Sequence, residues 1–155
     1  MPDLLSNPRR SKPSQSGKGL PLLTLAAMAL IGCAKAPPPG PKVSPVSGQV
    51  TVNGEKAIGA HVTFHRVGET NPKAITPYAV VEGDGWFRPS TINSFDGAPP
   101  GDYIVTVTWP TVTVEGGEEV EGPDRLQGRY ATKEHPAAKV TVADGENEYP
   151  PFELK

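Results

Sequence analysis

Apolar and polar residues alternate along most of the chain after residue 45, with the period of two that is typical of β-strands. In the first such stretch, Val46, Gly48, Val50 and Val52 fall on one face, and the residues between them fall on the other. Asn53-Gly54 follows, which is a strong hairpin signal because both residues tolerate a positive φ. We therefore expect a strand that begins at Val46 and ends in a tight turn.

The same alternation predicts further strands and their inward-facing side chains. Val62 and Phe64 face the core from one strand, and Phe87 faces it from another. The stretch Tyr103–Trp109 carries β-branched residues on both faces, which indicates a central strand. We expect the ring of Tyr103 to be buried and its hydroxyl to be hydrogen bonded to a loop.

The last third of the chain mixes loops and strands. The stretch Gly116–Asp124 is acidic and predicts a solvated loop, whereas Lys139–Val142 and Tyr149–Leu154 predict a final pair of strands. No stretch after residue 45 has a convincing helical period. The sequence therefore predicts an all-β fold, a sandwich of seven short antiparallel strands over residues 46–155.

The N-terminal residues 1–32 are typical of an export signal rather than of the fold. A basic region precedes the apolar stretch Leu20–Ile31, which is shorter than the roughly 20 residues that a membrane-spanning helix needs. Leu30-Ile31-Gly32-Cys33 then resembles the lipobox of bacterial lipoproteins, and Cys33 is the only cysteine. This resemblance implies cleavage before Cys33, a diacylglycerol thioether on its sulfur and acylation of its amino group. The alternative is a secreted protein with an incidental cysteine.

Residues 33–45 follow as the lipidated cysteine and a proline-rich linker, whose prolines favour an extended stalk. Several acyl chains would hold the protein on a membrane, since one chain alone anchors only marginally. Ala34 stands where an aspartate commonly signals inner-membrane retention, which favours the outer membrane if the cell is Gram-negative. We expect a membrane-anchored lipoprotein on the exported side of the cell envelope.

Charge and composition narrow the classes of partner. The 155 residues carry 15 basic and 17 acidic side chains; removal of residues 1–32 takes away four basic and one acidic, which changes the formal charge from −2 to −5. An acidic mature chain does not favour nucleic-acid binding, which requires a basic surface. The partners that we expect are the membrane, through the lipid anchor, and an envelope protein or polysaccharide.

Three motifs in order resemble the carboxypeptidase regulatory-like domain, a transthyretin-like and Ig-like sandwich. They are the opening hairpin from Val50 to Phe64, the turn and strand Asp84-Gly85-Trp86-Phe87, and the strand Pro100–Val107. Together they span roughly Val46 to Trp109. The resemblance implies the fold of that family and a non-catalytic accessory role, and it implies no ligand.

Candidate ligand-binding residues lie on turns and loops of the predicted sandwich. Trp86 alternates with the inward-facing Phe87, so it faces outward or covers an edge, where an exposed indole can stack on a sugar ring. Asp84 and Asp96 lie in loops whose oxygen atoms suit Ca²⁺, although Asp-Gly pairs are also ordinary turn residues. His61 and His65 cannot share one metal ion, because positions i and i+4 of a strand lie about 13 Å apart.

The sequence favours a binding module over an enzyme. It contains neither G-x-S-x-G nor H-E-x-x-H, and the mature serines, Ser44, Ser47, Ser90 and Ser94, lie in no recognisable nucleophile motif. We predict no catalytic residue, no cofactor and no metal site. The expected function is a non-catalytic binding or assembly module on the envelope; the alternatives are carbohydrate- or calcium-dependent adhesion and, second, a small hydrolase.

Overall fold

The structure is a computed structural model that describes residues 40–155. Its strands, in chain order, are β1 (Val46–Val52), β2 (Glu55–Lys56), β3 (His61–Arg66), β4 (Tyr78–Val80), β5 (Trp86–Phe87), β6 (Gly101–Thr108), β7 (Pro110–Glu115), β8 (Glu118–Asp124), β9 (Ala138–Val142), β10 (Asn147–Glu148) and β11 (Phe152–Leu154). Within this range no helix is long and apolar enough to cross a membrane. The all-β prediction is confirmed.

The first sheet is built around β1. Strands β2 and β5 pair with it in antiparallel fashion, and β10 and β11 pair with it in parallel. The predicted turn at Asn53-Gly54 is present, with φ values of 51° and 86°. Val46 and Val50 are buried as the alternation predicted. The parallel pairs depart from the predicted, wholly antiparallel arrangement.

The second sheet has the order β4-β3-β6-β9, and all of its pairs are antiparallel. Strand β6 is central, as the β-branched residues on both of its faces predicted. Phe64 lies opposite Val105, and both side chains are fully buried. The hydroxyl of the buried Tyr103 donates a hydrogen bond to the carbonyl oxygen of Pro99 over 2.8 Å, so this prediction is also confirmed.

Aromatic rings from both sheets meet in the core between them. The ring centroids of Phe64 on β3 and Phe87 on β5 lie 6.0 Å apart, and those of Phe87 and Phe152 on β11 lie 5.3 Å apart. The ring of Tyr103 packs edge-on against Phe64 at 5.9 Å. These contacts join β5, β3, β6 and β11, which makes the two sheets a sandwich with one core.

Two regions differ from the sequence prediction. The acidic stretch Gly116–Asp124 is not a loop: β7 and β8 form a two-stranded ribbon, joined by Gly116 and Gly117 at positive φ. The predicted final pair does not form either, because β9 pairs with β6 and β11 pairs with β1. Residues 40–155 also contain eleven strands where seven were predicted. Strands β2, β5 and β10 have two residues each, too few to show an alternation.

Candidate functional site

Trp86 lies on the outer face of the first sheet, opposite to the core. Strand β5 pairs with β1 so that Trp86 lies across from Gln49 and Phe87 lies across from Gly48. Phe87 is fully buried, whereas Trp86 is half-buried. Directly paired residues of antiparallel strands have their side chains on the same face, so the indole and the Gln49 side chain are neighbours on that outer face.

A shallow groove of about 360 Å³ begins at this indole, and we call it the Trp86 groove. Its lining residues are Gln49, Trp86, Glu148, Tyr149, Pro150 and Pro151. Strand β10 brings the last four to the sheet, since the Tyr149 amide donates to the Ser47 carbonyl oxygen over 2.9 Å. The groove therefore joins residues that lie about a hundred positions apart in the chain.

Tyr149 is held firmly at one side of the Trp86 groove. Its hydroxyl donates a hydrogen bond to the Thr141 carbonyl oxygen over 2.8 Å, and its ring stacks on Phe152 at a centroid distance of 6.4 Å. Burial raises the pKa of Tyr149 above its ordinary value, so the phenol is neutral at neutral pH. The Tyr149 ring thus packs against the core at the edge of the groove, and the sequence did not single it out.

The polar groups of the groove are the amide of Gln49 and the carboxylate of Glu148. Neither side chain makes a hydrogen bond to another residue of the described range 40–155. Glu148 is exposed and Gln49 is half-buried. An amide that donates and accepts, together with a carboxylate that accepts, can pair with hydroxyl groups of a ligand lying on the Trp86 indole.

Asp84 is engaged inside its own turn. Its carboxylate accepts the Trp86 amide N–H over 2.8 Å and one N–H of Arg88 over 3.1 Å, while Arg88 also pairs with Glu82. The hydrogen bond from the Trp86 backbone and the one from Arg88 hold the pKa of Asp84 below its ordinary value. Asp84 therefore positions Trp86, and its oxygen atoms are occupied by these donors.

Asp96 is engaged in the same way in the loop before β6. Its carboxylate accepts the amide N–H groups of Thr91, Ile92 and Asn93 over 2.7, 3.0 and 2.8 Å. Burial raises the pKa of Asp96, but these backbone hydrogen bonds outweigh it and leave the pKa below its ordinary value. Throughout residues 40–155, no group of three or more His, Cys, Asp or Glu side chains could hold a metal ion.

The two histidines of β3 have separate partners. His65 Nε2 lies 2.9 Å from the hydroxyl of Thr106, and His61 Nε2 lies 3.2 Å from a carboxylate oxygen of Glu121 on the ribbon. Burial, and then the charge of Lys133, lower the pKa of His65. Cys33, the predicted lipidation site, lies outside the described residues.

Comparisons with known proteins add little to this picture. No family model matches the chain, and no curated protein matches it. A solved structure from Pseudomonas aeruginosa, described as "a putative carbohydrate binding protein", is similar at 12% identity and a TM-score of 0.38, over 70% of this chain and 86% of that one. A likeness at this level supports no conclusion about this chain, so the Trp86 groove must be interpreted from its own residues.

Proposed function

We propose that this chain is a lipid-anchored, non-catalytic binding module of the cell envelope, and that its sandwich binds saccharides in the Trp86 groove. The observation that carries the proposal is the half-buried indole of Trp86, which lies beside the polar side chains of Gln49 and Glu148, neither of which has a hydrogen-bond partner within residues 40–155. Pyranose rings have an apolar C–H face and a polar rim. An aromatic floor with flanking hydrogen-bonding groups complements both at once.

The shape of the groove favours a polymer over a small enclosed ligand. It is open along the outer face of a sheet, and Pro150 and Pro151 give it an exposed, rigid border. Small-molecule sites usually surround most of their ligand. An open groove on a stiff sheet instead fits a few sugar units of a longer chain that continues into solvent.

The charges in the groove favour binding over hydrolysis. Glycoside hydrolysis uses two carboxyl groups that flank the scissile bond. Among the described residues that line the groove, Glu148 alone carries a carboxylate. This supports the non-catalytic role, which the resemblance to the carboxypeptidase regulatory-like domain also implies.

Saccharide binding can be tested by retention of the purified protein on insoluble chitin, cellulose and peptidoglycan sacculi. We expect the wild type to be retained by at least one of these polymers, and Trp86→Ala to be released because stacking needs a flat aromatic face. Glu148→Gln should weaken retention less. Val114→Ala is the matched control, since Val114 is 70% exposed on the ribbon and does not line the groove. Equal retention of the wild type and Trp86→Ala on all three polymers would refute the proposal.

The lipid anchor is tested separately, because it depends on Cys33 alone. Cys33→Ser should leave an unprocessed precursor that takes up no radiolabelled palmitate and partitions into the aqueous phase of a detergent extract. Cys33→Ser protein that still matures and partitions into detergent would show that this part of the proposal is wrong.

A further inference from the structure

Phe95 is exposed and has a backbone conformation that phenylalanine rarely adopts. Its φ is 59°, in the left-handed region, and its side chain is 57% exposed. A bulky residue in this region is uncommon and strained, and an exposed ring gains little from burial in return. Folding alone gives no reason for a phenylalanine here, since glycine would fit the same backbone better.

The loop around Phe95 is tied down by hydrogen bonds that fix this conformation. The Phe95 amide donates to the hydroxyl oxygen of Ser90 over 2.9 Å, and the hydroxyl of Thr91 donates to the Gly97 carbonyl oxygen over 2.6 Å. The three amides that donate to Asp96 close the same loop. The backbone that carries Phe95 is therefore fixed before any ligand arrives.

A second groove, of about 340 Å³, lies beside this ring, and we call it the Phe95 groove. Its lining residues are Tyr78, Ala79, Val80, Glu82, Arg88, Ser90 and Phe95. Tyr78 and Val80 are 40% and 42% exposed, so two aromatic rings and one aliphatic side chain border it. Arg88 uses two of its five N–H groups for Glu82 and Asp84, which leaves donors for a ligand.

One short extended segment joins the two grooves. It begins at Trp86, which pairs with β1 of the first sheet, and ends at Ser90, which exchanges two backbone hydrogen bonds with Tyr78 of the second sheet. Four residues of extended chain span about 13 Å. The Arg88 side chain, with its remaining donors, lies between the two ends of this segment.

We propose that the Phe95 groove is a second saccharide subsite, and that one polysaccharide strand runs from the Trp86 groove along residues 86–90 to the ring of Phe95. This inference rests on the proposed function, because it extends the same ligand over a second surface. The segment that connects the two grooves and the aromatic side chains at both ends favour a saccharide of several units. Arg88 with Glu82 and Asp84 carries a net charge of −1, which favours a neutral sugar over an acidic one.

The test is the dependence of affinity on oligosaccharide length, measured by calorimetric titration. The probes are β-(1→4)-linked oligomers of N-acetylglucosamine and of glucose with two and six units. The variants are Phe95→Gly, which removes the ring and suits the positive φ, and Trp86→Ala. Ile92→Ala is the matched control, because Ile92 is 49% exposed in the same loop and lines neither groove.

We expect the wild type to bind one hexamer about tenfold more tightly than its dimer, the factor that one additional stacked ring contributes. Phe95→Gly should bind the hexamer no more tightly than the dimer, with its affinity for the dimer unchanged. Ile92→Ala should bind both oligomers as the wild type does. A hexamer gain that persists in Phe95→Gly would overturn the second subsite and leave the Trp86 groove standing. A change in the oligomeric state of Phe95→Gly, with unchanged affinities, would also overturn it, since the ring would then be a contact between copies.

Failure of the proposed function gives a different result. In that case the wild type binds none of the oligomers, or Trp86→Ala binds the dimers as well as the wild type does. Either result would remove both grooves as saccharide sites.

Discussion

Gly48 lies directly beneath the ring of Phe87. A β-carbon at Gly48 would come within 2.6 and 2.7 Å of two ring atoms of Phe87, which is closer than real contacts allow. Phe87 is fully buried and stacks on Phe152, so its ring has no free space to move into. Because Gly48 has no side chain, the buried ring of Phe87 can lie across β1.

Gly48→Ala should therefore destabilise the protein by about 1–3 kcal/mol, the usual cost of overfilling a packed core. Gly83→Ala is the control, because a β-carbon there meets nothing within 4 Å and the backbone φ is not positive. That control should be neutral or slightly stabilising. Thermal unfolding of the two variants measures the difference, and equal melting temperatures would contradict this packing.

The strands of the sandwich core could be predicted because their burial alternates residue by residue. Val62, Phe64, Phe87 and Tyr103 all face inward as the pattern indicates. The ribbon was missed because charged residues dominate its sequence. Its valines are exposed, as Val114 is at 70%, so they give no alternation of buried and exposed residues. The parallel pairing of β11 with β1 joins distant residues, and no local pattern carries that information.

Asp124 stabilises the base of the ribbon, the end at which Pro110 pairs with Asp124. Its carboxylate accepts the amide N–H groups of Trp109, Leu126 and Gly128 over 2.7, 3.0 and 2.8 Å. Asp124→Ala leaves three donors without this acceptor, which should cost about 1–3 kcal/mol. Asp124→Asn keeps one acceptor oxygen and should lose less.

Urea unfolding gives the free energies for this comparison, and hydrogen exchange of the three amides reports the local effect. Glu119→Ala, at an exposed position of the ribbon, is the control and should change neither. Unchanged exchange at Trp109 in Asp124→Ala would show that the carboxylate does not hold the base.

Stability should also fall at mildly acidic pH because of His65. Burial, followed by the charge of Lys133, lowers its pKa below the ordinary value of 6.5. As the pH falls below 6.5, the unfolded chain binds a proton at this residue before the folded chain does, so folding becomes less favourable. The stabilisation that neutral His65 contributes to the folded state is complete above pH 6.5, and it is lost as the pH falls towards the lowered pKa.

Melting temperatures at pH 7.5, 6.5 and 5.5 test this dependence on His65. The variant His65→Gln should show a smaller decrease over that range than the wild type. Asp96 and Asp124 also have lowered pKa values, but their contribution is lost only as the pH falls below their ordinary value of 3.8, outside the range. A folded-state pKa of His65 at or above 6.5 in an NMR titration would contradict the prediction.

The candidate site was partly visible in the sequence. The outward position of Trp86 follows from its place next to the inward-facing Phe87. Tyr149 was missed because it reaches the groove through a backbone pair with Ser47, about a hundred residues away. Phe95 was missed because its positive φ depends on the folded loop, in which its amide donates to Ser90 and three other amides donate to Asp96.

Trp86 and Phe87 are adjacent in sequence but should respond very differently to truncation. Phe87→Ala empties a core site between Phe64 and Phe152, which should cost about 3–5 kcal/mol. Because small domains are stable by about 5–15 kcal/mol, this variant loses a large share of its stability. Trp86→Ala removes a half-buried ring from an outer face and should cost roughly 1–2 kcal/mol. Urea unfolding of both variants against the wild type measures the two losses. Equal losses would place the indole of Trp86 in the core, and a binding defect in Trp86→Ala would then reflect unfolding instead of a lost contact with the saccharide.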